Sequence, residues 1–354
     1  MRYHAPVKRT CANSEAASAA TALVEGLQDR FRARLEALAA RLEPEHPRFE
    51  SIEWLRDEGR HGGGHRYVQP YGPVFNRAAI NVSHVHYDDD PGRKLGSASA
   101  LSTIIHPRHP HAPSVHIHIS WTERKDGSGY WRLMADLNPA IPAVEQTERF
   151  EAAMREAAGE HYAEGREQGE AYFFIPALQR HRGVTHFYLE GHASDDAKAD
   201  FAFAKRFGEA VIDRYVEILD DALREPKPAS EADHAAQLAY HSVYLFQVLT
   251  LDRGTTSGIL VHDQNDVGIM GSLPSFVDRE LLASWADKVP EAQRELVSGI
   301  VGALPEASPC PVENDTRAAL APVLRNFYQG YPERLEFQAR GKILPPTLSN
   351  HLKT

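Results

Sequence analysis

The chain is poor in cysteine, with only Cys11 and Cys310, far apart, among 354 residues. That excludes a disulfide framework and a cysteine zinc site, and it suits a reducing cytoplasm. Long apolar runs are missing too. No stretch approaches the roughly 18 residues a membrane span requires, and the opening MRYHAPVKRT has no signal-peptide core. There is no basic tract, and the net charge of −10 argues against a nucleic-acid partner. Internal repeats and long low-complexity tracts are absent. With 42% hydrophobic and 25% charged residues, an ordinary globular composition remains. No composition break marks a boundary. One domain over residues 1–354 is therefore expected, with an N-terminal helical segment (1–50) and a C-terminal helical extension (310–354).

What the chain has in quantity is histidine, 19 in all, and five of these fall between Ser102 and Trp121. Pro107, Pro110 and Pro113 divide that stretch into a strand, a stiff turn and a second strand, because proline cannot donate to a sheet ladder. From Ser114 the residues alternate. Val115, Ile117 and Ile119 take one face, and Ser114, His116, His118 and Ser120 the other. His106 can fold back beside them, with Arg108 in the same turn. An apolar strand presenting several imidazoles to one cavity suits proton transfer or metal binding; the plain alternative is a polar sheet face.

Elsewhere the patterns are simpler. Asn13 or Ser14 can cap a long helix whose stripe runs Ala20, Leu23, Val24, Leu27, Phe31, Leu35, Leu38 and Leu42. The run His61-Gly-Gly-Gly-His65 reads as a loop. Ala78 to Tyr87 and Tyr130 to Ala135 read as strands, the second ending at Asp136-Leu-Asn-Pro139. Residues 147–169 read as helix. Val184 to Glu190 reads as a strand with His186 and Tyr188 on one face. A long helix follows Ser194, with a stripe from Phe203 to Leu219. Ser242 to Leu251 and Gly258 to His262 are nearly all apolar and read as strands covered on both faces. Asp278 to Asp287 and Thr316 to Gln329 read as helices. Strands paired through short turns, with long helices, give an α+β class: one large, mostly antiparallel sheet with helices on both faces.

Four pieces in order carry a family resemblance: EG-x-x-GGG from Glu58, INVSHVHY from Ile80, Ser102 with HPR-x-PH-x-P-x-x-H from His106, and ADLNP from Ala135. Together they resemble the oxygen-dependent coproporphyrinogen III oxidases, over roughly residues 53–140. Sparser matches follow at Tyr172-Phe173, His181-Arg-Gly183, Asp252-Arg-Gly-Thr255 and Ser272-Leu-Pro274. The resemblance implies a flat seven-stranded antiparallel sheet between helices, a homodimer, and no organic cofactor. It implies an O2-dependent oxidative decarboxylation of two propionates of a porphyrinogen to vinyl groups, in haem synthesis. It nominates His116, Asp136 and Arg108 as catalytic: Asp136 to hold or deprotonate pyrrole N–H groups, His116 as proton donor, Arg108 to pair with a substrate carboxylate. Ser102, Arg108, His118 and Ser120 are the expected substrate contacts. His106, His116 and His118 are the expected ligands if a divalent metal (Fe, Mn or Cu) is used.

The departures from the family pattern matter as much. Asn-x-Arg after the second histidine is here His118-Ile-Ser120. The arginine-rich strand is represented by Tyr240-His-Ser-Val-Tyr244, without its arginine. The Gly-Gly-Arg that would contact substrate falls at about His262-Asp-Gln-Asn265. Imidazoles stand at new places: His109, His118, His186 and His262. Two alternatives therefore stay open: a homologous metal- and O2-dependent oxidase for another organic acid, joined by His84 or His186, and a non-catalytic binder of a tetrapyrrole or metal.

Overall fold

The computed structural model describes residues 9–339. The outer parts of the two expected terminal segments, residues 1–8 and 340–354, lie outside the described residues. Helix α1 (Glu15–Leu42) begins where the Ser14 hydroxyl accepts from the Ala17 N–H at 3.0 Å. Its expected stripe, from Ala20 through Leu38, is buried. Burial of that kind contributes about 1.5–3 kcal/mol for each large side chain. Seven strands then run in sequence: β1 (Glu50–Leu55), β2 (Gly62–Gln69), β3 (Phe75–His86), β4 (Leu95–Pro107), β5 (Ser114–Arg124), β6 (Gly129–Asn138) and β7 (Thr185–His192). They form one antiparallel sheet in that same order. Between β6 and β7 come α2 (Val144–Ala158) and α3 (Tyr162–Phe173), one expected helix broken in two at Gly159, whose φ is +55°. After β7, apart from a short antiparallel pair of Phe276–Val277 with Cys310–Pro311, the chain is helical: α4 (Ala197–Arg224), α5 (Glu231–Thr250), α6 (Arg253–Val261), α7 (Asp266–Ile269), α8 (Arg279–Ala283), α9 (Glu291–Ala303) and α10 (Asn314–Gly330). Among the described residues no helix is long and apolar enough to cross a membrane.

Alternation along the strands gives the sheet two different faces. Val115, Ile117, Ile119, Leu133, Ala135 and Leu137 join the stripes of α1 and α4 in one core. Ala79, Ile104, Met134 and Tyr188 join α5, α9 and α10 in the other. This second face carries His116, His118 and Ser120, so the expected layering holds and both layers are helical.

Three expectations are corrected. Ser242 to Leu251 and Gly258 to His262 are not strands but lie in α5 and α6. Their unbroken apolarity arises because α5 is enclosed all round: Val243, Leu245, Phe246, Val248 and Leu249 are all buried. The glycine run is not a loop, since Gly62 to Gly64 open β2 and pair with both β1 and β3. Glycine is required there. Gly62 has φ +86°, and a Cβ on Gly64 would lie 2.2 Å from the Trp54 indole nitrogen. Asp136 is not in a turn but inside β6, with no exposure.

The chain ahead of α1 is tied to the sheet through His84. The Ala12 N–H donates to His84 Nε2 at 2.9 Å, while Nδ1 faces the hydroxyls of Ser99 and Thr21 at 2.9 and 3.0 Å. Nε2 must therefore keep its lone pair. Burial, with His86 and Arg9, holds the His84 pKa down to about 4, and burial holds His241 down to about 3. An unfolded histidine titrates near about 6.5, so below that pH the unfolded chain binds more protons than the folded one. This stabilisation is complete above about pH 6.5 and is lost as pH falls towards 4. The urea midpoint is accordingly expected to be lower at about pH 5 than at about pH 7.5. An unchanged midpoint would mean these imidazoles are not held neutral.

Candidate active site

The second face of the sheet opens into a cavity of about 290 Å³ beneath α5, α6 and α7. Its floor is built in register rows. Arg66, Asn81, Ser102, His118, Met134 and Tyr188 stand side by side on β2 to β7. The neighbouring row is small at its near end, with Gly64, Ser83, Ala100 and Ser120 leading to Arg132. Those small side chains give the hollow its depth. Ser102, His116, His118 and Ser120 all line it, as the alternation of β5 requires.

His116 is the best-organised group. Its Nδ1 lies 2.8 Å from Asp136 Oδ1, across the β5–β6 register. Asp136 also accepts from Asn138 Nδ2 at 2.7 Å and Arg182 Nη2 at 2.8 Å. Burial works to raise this carboxyl, but Arg182, His116 and Asn138 outweigh it and hold the pKa at about 2. An ionised carboxylate can only accept, so His116 Nδ1 carries the proton and the tautomer is fixed. Nε2 has no hydrogen-bond partner among the described residues, and the ring is partly exposed to the cavity. The pair can therefore take a proton from a bound molecule at Nε2 and return it. Arg182, itself 1% exposed, spans from Asp136 to Gln247 Oε1 at 2.8 Å and packs under Phe173 and Tyr244.

His118 has a different character. Burial, then Arg132 and His116, keep its pKa well below the usual histidine value, and its Nε2 lies 3.0 Å from the Ser120 hydroxyl. It is a neutral polar contact. Arg132 donates two parallel bonds to Glu190, at 2.6 and 2.7 Å, and Tyr188 O–H also donates to Glu190. Burial opposes the Arg132 cation, but Glu190 more than compensates and raises its pKa.

Not every nominated residue reaches the cavity. Arg108 is exposed beyond the end of β4, over the Tyr71 ring, because the turn after Pro107 leads away from the floor. Asp136 lies behind His116 and Arg182 and does not line the hollow, so it can orient a substrate-facing group but not touch substrate. His106 has no exposure. Its Nδ1 meets Ser114 Oγ at 2.9 Å and its ring is enclosed by Tyr240, His241 and Tyr244. His106, His116 and His118 are therefore not assembled, and among the described residues no three His, Cys, Asp or Glu side chains are grouped to hold a metal ion. That donor set does not fit Fe, Mn or Cu. His84 is on the opposite face beside α1, and His186 is spent on Arg182 O and Glu170.

A model of the family described as coproporphyrinogen III oxidase matches residues 19–297. The chain belongs to the coproporphyrinogen III oxidase family. Among curated relatives, the rat mitochondrial oxygen-dependent coproporphyrinogen-III oxidase is 27% identical over 274 residues, covering 69% of this chain. The match spans only 60% of the length of that rat protein. The corresponding enzymes of Rickettsia akari and Rickettsia bellii are each 29% identical over 244 residues, covering 65% of this chain and 85% of theirs.

Within this family member, four arginines line the cavity: Arg66, Arg132, Arg182 and Arg253. Sequence reading singled out none of them as a site residue and expected a shortage of cations. A signal for Arg132 was present: the period-2 alternation that orients His116 on β5 also places Arg132 with Met134 and Asp136 on one face of β6. Arg182 and Arg253 stand in two of the sparser family matches, His181-Arg-Gly183 and Asp252-Arg-Gly-Thr255, whereas Arg66 had no local signal, since cross-strand register brings it in.

Proposed function

We propose that this chain is an oxygen-dependent oxidase that decarboxylates propionate side chains of a porphyrinogen, with His116 as the proton-transferring group. The reading is supported by family membership together with one observation: an imidazole whose Nδ1 is locked onto a buried carboxylate while Nε2 faces a cavity. The chemistry balances for each propionate. A Cβ–H bond and the bond to the carboxylate break, CO2 leaves, and O2 takes the electron pair. The Cβ proton and one further proton complete hydrogen peroxide, leaving a vinyl group. His116 Nε2 takes a proton from the ring system and delivers it to reduced oxygen, while Asp136 stabilises the imidazolium in between. O2 is the oxidant, no organic cofactor is called for, and no step is assigned to a metal. Aerobic incubation with coproporphyrinogen III tests this. Protoporphyrinogen, with CO2 and peroxide in equal amounts, is expected; intact substrate after many enzyme equivalents would sink the assignment.

A second reading keeps the O2 chemistry and changes the acid. It is favoured by two ion pairs, Arg132 with Glu190 and Arg182 with Asp136, which neutralise two of the four arginines that line the cavity. Under it, coproporphyrinogen is left untouched while another extended carboxylic acid is oxidised with O2 uptake.

A further inference from the structure

The main cavity extends across the sheet, away from His116, as far as β2. Arg66 lines it from β2, partly buried. Its guanidinium has five donors. The hydrogen bond found for it is to Asn265 Oδ1 at 3.0 Å, and no carboxylate lies within ion-pair distance among the described residues. Beside it in the register stands Asn81, whose Oδ1 is buried without a hydrogen-bond partner. Turning that amide about its last torsion would present its NH2 group to whatever Arg66 holds. The backbone has made room for this cation: a Cβ on Gly268 would fall 1.4 Å from Arg66 Nη1.

We infer that Arg66, with Asn81 and Asn265, is the anchor for a carboxylate at the end of the substrate remote from His116. Among the described residues no carboxylate is ion-paired with this partly buried guanidinium, which faces the cavity and is set to take a carboxylate in forked geometry. Placement also says what kind of acid fits. Three strand spacings separate Arg66 from His118, and His116 lies two residues further along β5. At about 4.8 Å per strand and 3.3 Å per residue, the α carbons of Arg66 and His116 are roughly 16 Å apart. An acid that spans both side chains is therefore favoured over a small one. The ligand is an extended acid with a carboxylate at one end and the reacting group at the other. The reacting end rests on the oxidase reading; the anchor itself does not.

Two probes separate the anchor from that reading. The first is coproporphyrin III, a stable fluorescent tetracarboxylate, against its uncharged tetramethyl ester. The second is sebacate, a simple α,ω-dicarboxylate, titrated calorimetrically. Arg66→Ala is expected to weaken coproporphyrin III and sebacate by about 10- to 100-fold, as loss of a charge-assisted pair does, and to leave the ester unchanged. Gly268→Ala, which displaces the guanidinium without deleting it, is expected to reproduce that selective loss if Arg66→Ala fails to fold. Arg66→Lys should restore part of it. If coproporphyrin III fails to bind the native protein while sebacate binding depends on Arg66, the porphyrinogen reading falls and the anchor stands. If neither carboxylate probe binds in an Arg66-dependent way, the anchor is overturned.

Discussion

His116→Ala is expected to lower kcat by about 10²–10⁴-fold, the range of a positioned proton-transfer group, with stability reduced by about 1–3 kcal/mol for the bond that Asp136 loses. His116 is partly exposed and borders a cavity, so its removal leaves no sealed void. The loss in kcat should be matched by His116→Asn, whose amide N–H stands where Nδ1–H does and can keep the bond to Asp136, but which has no titratable nitrogen. His111→Ala is the control. His111 lies in the turn between β4 and β5, 3.4 Å from Asp233 and away from the cavity, and its removal should change kcat by less than about twofold. Steady-state oxygen uptake with coproporphyrinogen III measures both. Equal losses for the two histidines would mean that the residue facing the substrate has been misplaced.

How far the sequence alone led depends on which physical signal each part gives. The β4–turn–β5 unit was legible because prolines fix where a ladder must stop and alternation fixes which side chains share a face. His116, His118 and Ser120 follow from those two rules and Ser102 from the family motif, and the structure puts all four at one cavity. Arg108 misled because a family motif states neighbours in sequence, whereas the turn after Pro107 sends this side chain outward. The helices α5 and α6 were missed because apolar periodicity vanishes once an element is buried all round; only length then separates a strand from a helix. The glycine run was missed because its reason lies elsewhere in the chain: the Trp54 indole and the His84 carbonyl occupy the space where Cβ atoms would stand. The cation supply was misjudged for the same reason. Arg66 meets Asn265 although about two hundred residues separate them.

Arg182→Met should be the most damaging single change to stability. Arg182 is 1% exposed and Asp136 is not exposed at all, so methionine leaves a carboxylate buried without its counter-charge. Breaking such a pair from one side costs about 3–5 kcal/mol, a large share of the stability of an ordinary domain. The pH dependence identifies the cause. In the native protein Asp136 titrates at about 2, below an unfolded aspartate at about 3.9. Its contribution is therefore present above about pH 3.9 and is lost as pH falls through 2. Without Arg182 the burial that works against the carboxylate is less opposed, and the folded pKa rises. The variant then takes up a proton more readily than the native protein, so the stability gap between them narrows as pH falls from about 7 to about 4. Removing both charges in Arg182→Met with Asp136→Leu should recover most of the loss at neutral pH, because two apolar groups replace a pair that no longer has to be desolvated. Urea unfolding of the three proteins across that pH range decides it. A gap that stays constant with pH, or a double variant no more stable than the single one, would show that Arg182 holds the site by packing under Phe173 and Tyr244 and not by its charge.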